Sequence, residues 1–176
     1  MQGKAQRRRI PFGSVNRRGS AEYDPRFQRH HIVPVEIVVR PHFRAMMEHG
    51  DAAVLDFGDF RWNGMLLPGV EDACLETGLP LHRGRHRRYN AMVLERVAGI
   101  DRRFHRALRA RPRGAGRQAA AELRALTQAL RLQLLSPPVG MGLLNSKCPI
   151  GTGRDFSELD AMADRIWGAT APTEAD

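Results

Sequence analysis

The sequence predicts an α+β protein in which a small mixed core is joined to predominantly helical extensions. The run Ile32 to Val39 is rich in β-branched residues and predicts a strand, with Pro34 placing the start of that strand at an edge or a bend. Two long segments, from about His86 to Ala110 and from Arg117 to Leu135, repeat apolar side chains at three- and four-residue steps and predict amphipathic helices. With 176 residues, 42% of them hydrophobic, the chain can build a core.

Four shorter elements complete the predicted fold. They are an irregular strand over Val54 to Trp62 and short helices over Phe43 to Glu48, Val70 to Thr77 and Ser157 to Trp167. Pro41 and Gly50 frame the first of these helices in the usual asymmetric way, and Gly78 closes the second. Three of the shorter elements therefore precede the two long helices, and the helix Ser157 to Trp167 closes the fold after them.

Composition divides the chain into four parts. Residues 1–27 mix Arg, Gly, Ser and Pro with little apolar periodicity, which predicts a basic, disordered arm. Residues 28–111 form the central module, residues 112–168 a helical extension, and residues 169–176 a loose tail. We expect the chemistry of the protein to lie in the central module, because its histidines are grouped there.

Two pairs of histidines stand out in the central module. His30 and His31 are adjacent, and His82 and His86 follow later in the chain. Neighbouring residues on a strand point to opposite faces, so one member of the first pair can ligate a metal ion while the other stays free as a base. Imidazole suits both tasks, because its ordinary pKa of roughly 6.5 leaves a neutral nitrogen available near neutral pH.

Three motifs occur in a fixed order around these histidines. They are His-His-Ile-Val-Pro at 30–34, Asn-Gly-x-x-Leu-Pro at 63–68 and His-x-Gly-x-His-x-x-Tyr-Asn at 82–90. In this order the motifs resemble the AHH group of HNH nucleases, over about residues 28–100. Arg29 stands where the name of the group would place an alanine. The resemblance implies a metal-dependent nuclease with a small ββα-metal, or His-Me finger, core.

The resemblance also implies a role for each histidine. His31 would be the general base that activates water, and Asn63 would hold that base in orientation. His30 would bind the metal ion, with His82 and His86 as the natural candidates for the remaining ligands. We therefore expect hydrolysis of phosphodiester bonds at a site with a single metal ion.

Asn90 is a rival to His82 as a metal ligand. A helix that starts near His86 places His86 and Asn90, but not His82, on one face. Gly84 makes a helix that already includes His82 less favourable. The sequence leaves open which of the two residues completes the ligand set.

The identity of the metal ion is also open. Ligation by imidazoles favours zinc, nickel or cobalt, whereas magnesium prefers oxygen ligands. Family analogy admits magnesium as readily as a transition metal, so a divalent cofactor such as Mg²⁺, Mn²⁺ or Zn²⁺ is expected. The nearest acidic residues before Asn63 are Asp56 and Asp59, and a ligand set so poor in carboxylates argues against a second ion.

The charge of the chain favours an anionic partner. The formal net charge is +9, and residues 82–113 contain eleven arginines against two acidic residues. The candidates for contact with a nucleic-acid backbone are the four arginines beside the second histidine pair, Arg83, Arg85, Arg87 and Arg88. We expect nucleic acid as the partner, DNA ahead of RNA. The alternative is that an arginine-rich composition merely decorates solvated helix faces.

Two other functions compete with the nuclease. One is a catalytically inactive, basic nucleic-acid-binding protein, and the other is a helical partner-binding protein whose histidines hold a structural metal ion. The sequence contains no apolar stretch of membrane-spanning length and no signal peptide, and its two isolated cysteines suit reduced thiols. We therefore expect a cytoplasmic protein, with specialised export as a toxic effector, an immunity protein as partner and the oligomeric state all left open.

Overall fold

The structure is a computed structural model that describes residues 8–49, 55–135 and 144–145. Its sheet consists of two antiparallel strands, β1 (Phe27–His31) and β2 (Gly64–Pro68). In their register Phe27 lies opposite Pro68, and His31 lies opposite Gly64. The predicted α+β class is confirmed, because helices make up most of the remaining regular structure.

Six α-helices accompany the sheet in the described part of the chain. They are α1 (Val35–Val38), α2 (Arg44–His49), α3 (Phe60–Asn63), α4 (Glu71–Thr77), α5 (Arg87–Ala110) and α6 (Ala115–Leu135). Short 3-10 turns lie at Phe12–Ser14 and Pro41–Phe43. None of the helices within these bounds is both long enough and apolar enough to cross a bilayer.

The two predicted long helices are confirmed, with starts close to the predicted residues. Helix α5 starts one residue after the predicted position and α6 starts two residues before it. They pack against each other and, with α2, supply much of the core. The side chains at the centre of this packing are fully or almost fully buried: Val93, Val97, Ile100, Phe104, Leu123, Leu126, Leu130 and Leu134.

The short helices predicted around residues 43–48 and 70–77 are also present, as α2 and α4. Helix α2 starts directly after the 3-10 turn that Pro41 opens, and α4 ends at Gly78 in the left-handed conformation. The predicted helix Ser157 to Trp167 and the tail 169–176 lie outside the described residues, as does the start of the basic arm, residues 1–7.

The strand predicted over Ile32 to Val39 is wrong. The chain leaves the sheet at His31, and Val35–Val38 form helix α1. Pro34 precedes that helix and has no N–H to donate to a ladder, while the N–H and C=O of Val33 bond to a side chain instead of to a strand. The β-branched residues of this segment are therefore used for burial in the core and not for strand pairing.

The strand predicted over Val54 to Trp62 is wrong as well. Where the structure describes this segment it forms turns and then α3, whose start is capped by Asp59 accepting from the N–H of Arg61. The second strand begins only at Gly64. A Cβ atom at that glycine would lie 2.2 Å from the ring of Phe60, so only glycine permits this close approach of α3 to β2.

Residues 8–26, which we expected to belong to a disordered arm, instead make specific contacts with the module. The side-chain amide of Asn16 donates to the carbonyls of Asp24 and Phe27 and accepts from the N–H of Asp24. The N–H of Ile10 donates to the carboxylate of Asp59. Composition alone suggested disorder, but these hydrogen bonds between distant residues order the segment along the edge of the candidate site.

Candidate active site

Three histidines that are distant in the sequence meet next to the sheet. His30 lies on β1, His82 lies in the segment between α4 and α5, and His86 is the residue that precedes α5. One ligating atom from each lies within 4.8 Å of the others, the one such group of three in the described part of the chain. The Nε2 atoms of His82 and His86 are 3.1 Å apart.

Local backbone contacts explain how these histidines come together. The N–H of His82 donates to the carbonyl of Pro68, which attaches the 79–86 segment to the end of β2. Gly84 has a φ of +77°, a conformation that turns the chain between the two histidines at little cost for glycine. His82 therefore lies outside α5, and the turn at Gly84 directs its imidazole towards that of His86.

Two amide side chains orient these two imidazoles. The Nδ1 atom of His86 donates to the Oδ1 atom of Asn90 at 2.8 Å, and the Nδ1 atom of His82 lies 3.2 Å from the Oε1 atom of Gln28. An amide oxygen only accepts, so each ring carries its proton on Nδ1 and leaves a lone pair on Nε2. The other end of the Asn90 amide donates to Glu36.

The arrangement of lone pairs fits a bound cation. Two Nε2 atoms that both accept repel each other at 3.1 Å, whereas adjacent nitrogen ligands of a tetrahedral zinc ion stand at roughly that spacing, about 3.3 Å. The Nε2 atom of His30 is also buried and has no hydrogen-bond partner among the described residues. A cation among these three nitrogens would satisfy all of them.

Burial keeps the imidazoles of His30 and His82 neutral. His30 is 1% exposed, and its burial, followed by the proximity of His82 and His86, lowers its pKa well below the usual value. Burial and the neighbouring His86 lower the pKa of His82 to about 4. At neutral pH both rings therefore have the unprotonated form that a metal ion requires.

His31 faces the same cavity as the three clustered histidines. This histidine cavity has a volume of about 290 Å³, and its lining includes Arg29, His30, His31, Glu36, His82, His86 and Asn90. The ring of Phe12 stacks on His31 with the centroids 3.5 Å apart and the planes within 5°. Partial burial, and then the charge of Arg29, lower the pKa of His31.

Asn63 makes hydrogen bonds to the backbone of the two residues that follow His31. Its buried side chain accepts from the N–H of Val33 at 2.7 Å and donates to the carbonyl of Val33 at 2.9 Å. Its backbone carbonyl accepts from the N–H of Ile32. Asn63 therefore fixes the two residues after His31, and through them the end of β1 on which His31 stands.

Tyr89 supports the same stretch of chain from the other side. Its hydroxyl donates to the carbonyl of Ile32, and its ring lies edge-on to His30. The side chain is 1% exposed, and burial raises its pKa. Tyr89 is therefore a core residue that anchors the start of α5 to the end of β1.

The four arginines predicted to contact nucleic acid are exposed and surround the last turn before α5. Arg83, Arg85, Arg87 and Arg88 all have exposed side chains, and none of them lines the histidine cavity. The arginine at the cavity is Arg29, whose guanidinium also donates to the carbonyls of Gly13 and Val15. The structure thus adds a fifth arginine, Arg29, which lines the histidine cavity as the predicted four do not.

Sequence reasoning missed four residues at this site: Phe12, Gln28, Arg29 and Glu36. Gln28 and Arg29 directly precede the His-His pair, and their proximity was the one signal in the sequence. Phe12 and Glu36 had no such signal. Phe12 reaches His31 because its N–H is bonded to Gly58, far along the chain.

Comparison with known proteins gives one match. A family model described as a nuclease family of the HNH/ENDO VII superfamily with conserved AHH matches residues 12–130. The matched region runs from Phe12, which stacks on His31, into α6. No curated protein and no solved structure matches the chain.

Proposed function

We propose that this chain, which belongs to the AHH nuclease family of the HNH/ENDO VII superfamily, hydrolyses phosphodiester bonds in nucleic acid with a divalent metal ion. The observation that carries the proposal is the meeting of His30, His82 and His86 within 4.8 Å, beside a cavity that His31 also lines. A site for a cation and a separate base are thus adjacent.

His30, His82 and His86 are the proposed metal ligands, and Asn90 is assigned a positioning role. Asn90 already accepts from Nδ1 of His86, and an outer partner of this kind commonly fixes the orientation of a ligating histidine. Three imidazoles favour zinc, nickel or cobalt over magnesium. When bound, the cation would serve as a Lewis acid that offsets negative charge on the phosphate and on the leaving oxygen.

His31 is the proposed general base. Its lowered pKa keeps an imidazole nitrogen unprotonated at neutral pH, ready to take a proton from an attacking water. Phe12 covers one face of the ring and Asn63 holds the chain that follows it, so the imidazole has little freedom to turn away. General-base catalysis of this kind typically contributes about a hundred- to ten-thousand-fold in rate.

The surrounding arginines are the proposed contacts to the substrate backbone. Arg29 lies at the cavity, and Arg83, Arg85, Arg87 and Arg88 are exposed beside it. Guanidinium groups bind phosphate oxygens bidentately and independently of sequence, so affinity should fall steeply with salt. We propose DNA as the first substrate to test and RNA as the second.

Nicking of supercoiled plasmid and cleavage of a single-stranded RNA test the proposal. Wild type, His31→Ala and His49→Ala are compared with Mg²⁺, Mn²⁺ or Zn²⁺ and with EDTA. His49 is an exposed histidine on α2 and serves as the matched control. We expect metal-dependent cleavage that falls at least about a hundredfold in His31→Ala and stays unchanged in His49→Ala.

Metal binding provides the second measurement. Calorimetry should show that His31→Ala still binds the ion, whereas His86→Ala does not. If no variant cleaves either substrate with any metal, yet all bind nucleic acid equally, the chain is an inactive nucleic-acid-binding member of its family and the proposal fails.

A further inference from the structure

A second cavity lies beside the histidine cavity, and we call it the loop cavity. Its volume is about 280 Å³, and it is lined by Asn16, Arg18, Tyr23, Phe27, Gln28 and Arg29. Arg29 lines both cavities, and Gln28 contacts His82 while it lines the second. The loop cavity therefore adjoins the place where the proposed reaction occurs.

The wall of the loop cavity is held by hydrogen bonds before any ligand arrives. Asn16 adopts a positive φ of 45°, and its side chain makes three hydrogen bonds to Asp24 and Phe27. The Asp24 carboxylate accepts from the backbone and the guanidinium of Arg26, and Arg26 also pairs with Glu76 on α4. A pre-formed wall lowers the entropy that binding must otherwise overcome.

The lining of the loop cavity combines aromatic rings with positive charge. Tyr23 and Phe27 supply the rings, Arg18 and Arg29 supply the charge, and the lining contains no carboxylate. Tyr23 is 38% exposed, so a flat ligand can reach its ring. Aromatic rings stack on the face of any nucleobase, while guanidinium groups bind the phosphate attached to it.

The cavity can accept a base only when that base is not paired. In a duplex the faces of the bases are stacked on each other and cannot reach a protein side chain unless the nucleotide turns out of the helix. A volume of about 280 Å³ lies near the lower end of small-ligand sites, about 300 Å³, which suits one nucleotide and not a longer segment.

We propose that the loop cavity binds one unpaired nucleotide of the substrate strand next to the scissile phosphate, with its base stacked on Tyr23 and its phosphate on Arg18 or Arg29. The proposal rests on the proposed nuclease function for the identity of the ligand, but binding itself needs no metal ion and no cleavage. It adds a preference for single-stranded segments, in DNA or RNA, to the proposed activity.

Fluorescence anisotropy in EDTA tests the proposal without cleavage. The probes are labelled single strands of deoxythymidine and of uridine, each twenty nucleotides long, and a DNA duplex of twenty base pairs. The full-length variants are Tyr23→Ala, Tyr23→Phe and Arg18→Ala. Arg109→Ala is the control, because this arginine lies on the last turn of α5, roughly 28 Å along the helix from Asn90. A thermal melt of each variant verifies that it is folded.

We expect Tyr23→Ala to weaken single-strand binding on the order of tenfold and duplex binding by less than about twofold, since one stacked base contributes about 1–3 kcal/mol. Tyr23→Phe should retain the affinity. Arg18→Ala should weaken binding more than Arg109→Ala does. It should also lower the slope of log affinity against log salt concentration by about one, because one fewer counterion is released. The DNA and RNA strands together show which backbone the cavity accepts.

Two results would overturn the proposal: an equal loss for single strands and duplex in Tyr23→Ala, or no loss for either. Both results are independent of the nuclease assay. A protein that binds single strands through Tyr23 but cleaves nothing would keep this inference and refute the proposed function. A protein whose cleavage depends on His31, but whose binding does not change in Tyr23→Ala, would keep the proposed function and refute this inference.

Discussion

At the scale of single residues, the site depends on pairs of side chains that orient one another. Asn90 and Gln28 hold the Nδ1 atoms of His86 and His82, and Phe12 lies flat on His31. Each imidazole can therefore be perturbed through its partner without being removed. Substituting the partner side chain therefore changes the orientation of an imidazole, whereas substituting the histidine removes the imidazole.

Replacing Asn90 distinguishes an orienting residue from a ligand. We expect Asn90→Ala to weaken zinc binding by about ten- to a hundredfold, because His86 would lose the acceptor that fixes its ring. His82→Ala should abolish high-affinity binding, because it removes a ligand. Isothermal titration of the metal-free variants provides the comparison, and equal losses in the two would place Asn90 among the ligands.

Removing the ring of Phe12 should slow the reaction without changing substrate affinity. In Phe12→Ala the imidazole of His31 loses its stacking partner and can rotate away from the cavity, so we expect kcat to fall roughly tenfold with KM within twofold. Phe12→Tyr should restore most of the rate. Steady-state kinetics on a short oligonucleotide would contradict this role if Phe12→Tyr were as slow as Phe12→Ala.

At the scale of elements, the close contact between α3 and β2 determines the position of the second strand. The Cβ atom of an alanine at 64 would lie 2.2 Å from the ring of Phe60 and 2.7 Å from its carbonyl oxygen. The carbonyl of Phe60 accepts from the N–H of Gly64, so it cannot move without disturbing the start of β2. Asn63, which holds the chain after His31, lies in the same turn.

Gly64→Ala should therefore destabilise the fold, by roughly 2 kcal/mol, through steric strain. Gly13→Ala is the matched control, since a Cβ atom there would have no neighbour within 4 Å. Urea denaturation of the two variants and wild type measures the difference. Equal midpoints for all three would mean that α3 and β2 tolerate the added methyl group.

At the scale of the whole molecule, two buried neutral histidines link stability to pH. Folding lowers the pKa of His82 from 6.5 to about 4 and that of His30 well below its usual value. The unfolded chain therefore binds more protons as the pH falls below 6.5. The metal-free protein should lose stability over this range, on the order of 3 kcal/mol from His82 by pH 4.

Urea midpoints in EDTA at pH 7, 6 and 5 measure this loss before most carboxylates titrate. We expect the midpoint of His82→Gln to change less with pH than that of wild type, because glutamine does not titrate. His49→Gln, which alters an exposed histidine, should follow wild type. Parallel slopes for wild type and His82→Gln would show that His82 does not contribute to the dependence.

Prediction from the sequence succeeded where structure depends on neighbouring residues. The apolar repeat that predicted α5 and α6 is a local pattern, because each turn of a helix buries residues three and four positions apart. It failed for the strands, because β1 finds its partner only after the intervening helices α1, α2 and α3. A β-branched run such as Ile32–Val33 favours burial equally well outside a sheet.

The sequence by itself determined the candidate residues and the family: the order of the His-His, Asn-Gly and His-x-Gly-x-His motifs is enough to identify both. Only the tertiary structure decided that His82 joins His30 and His86, that Asn90 bonds to His86, and that the N-terminal segment reaches the site. The physical reason is that these outcomes depend on contacts between distant parts of the chain. No local pattern of residues specifies those contacts.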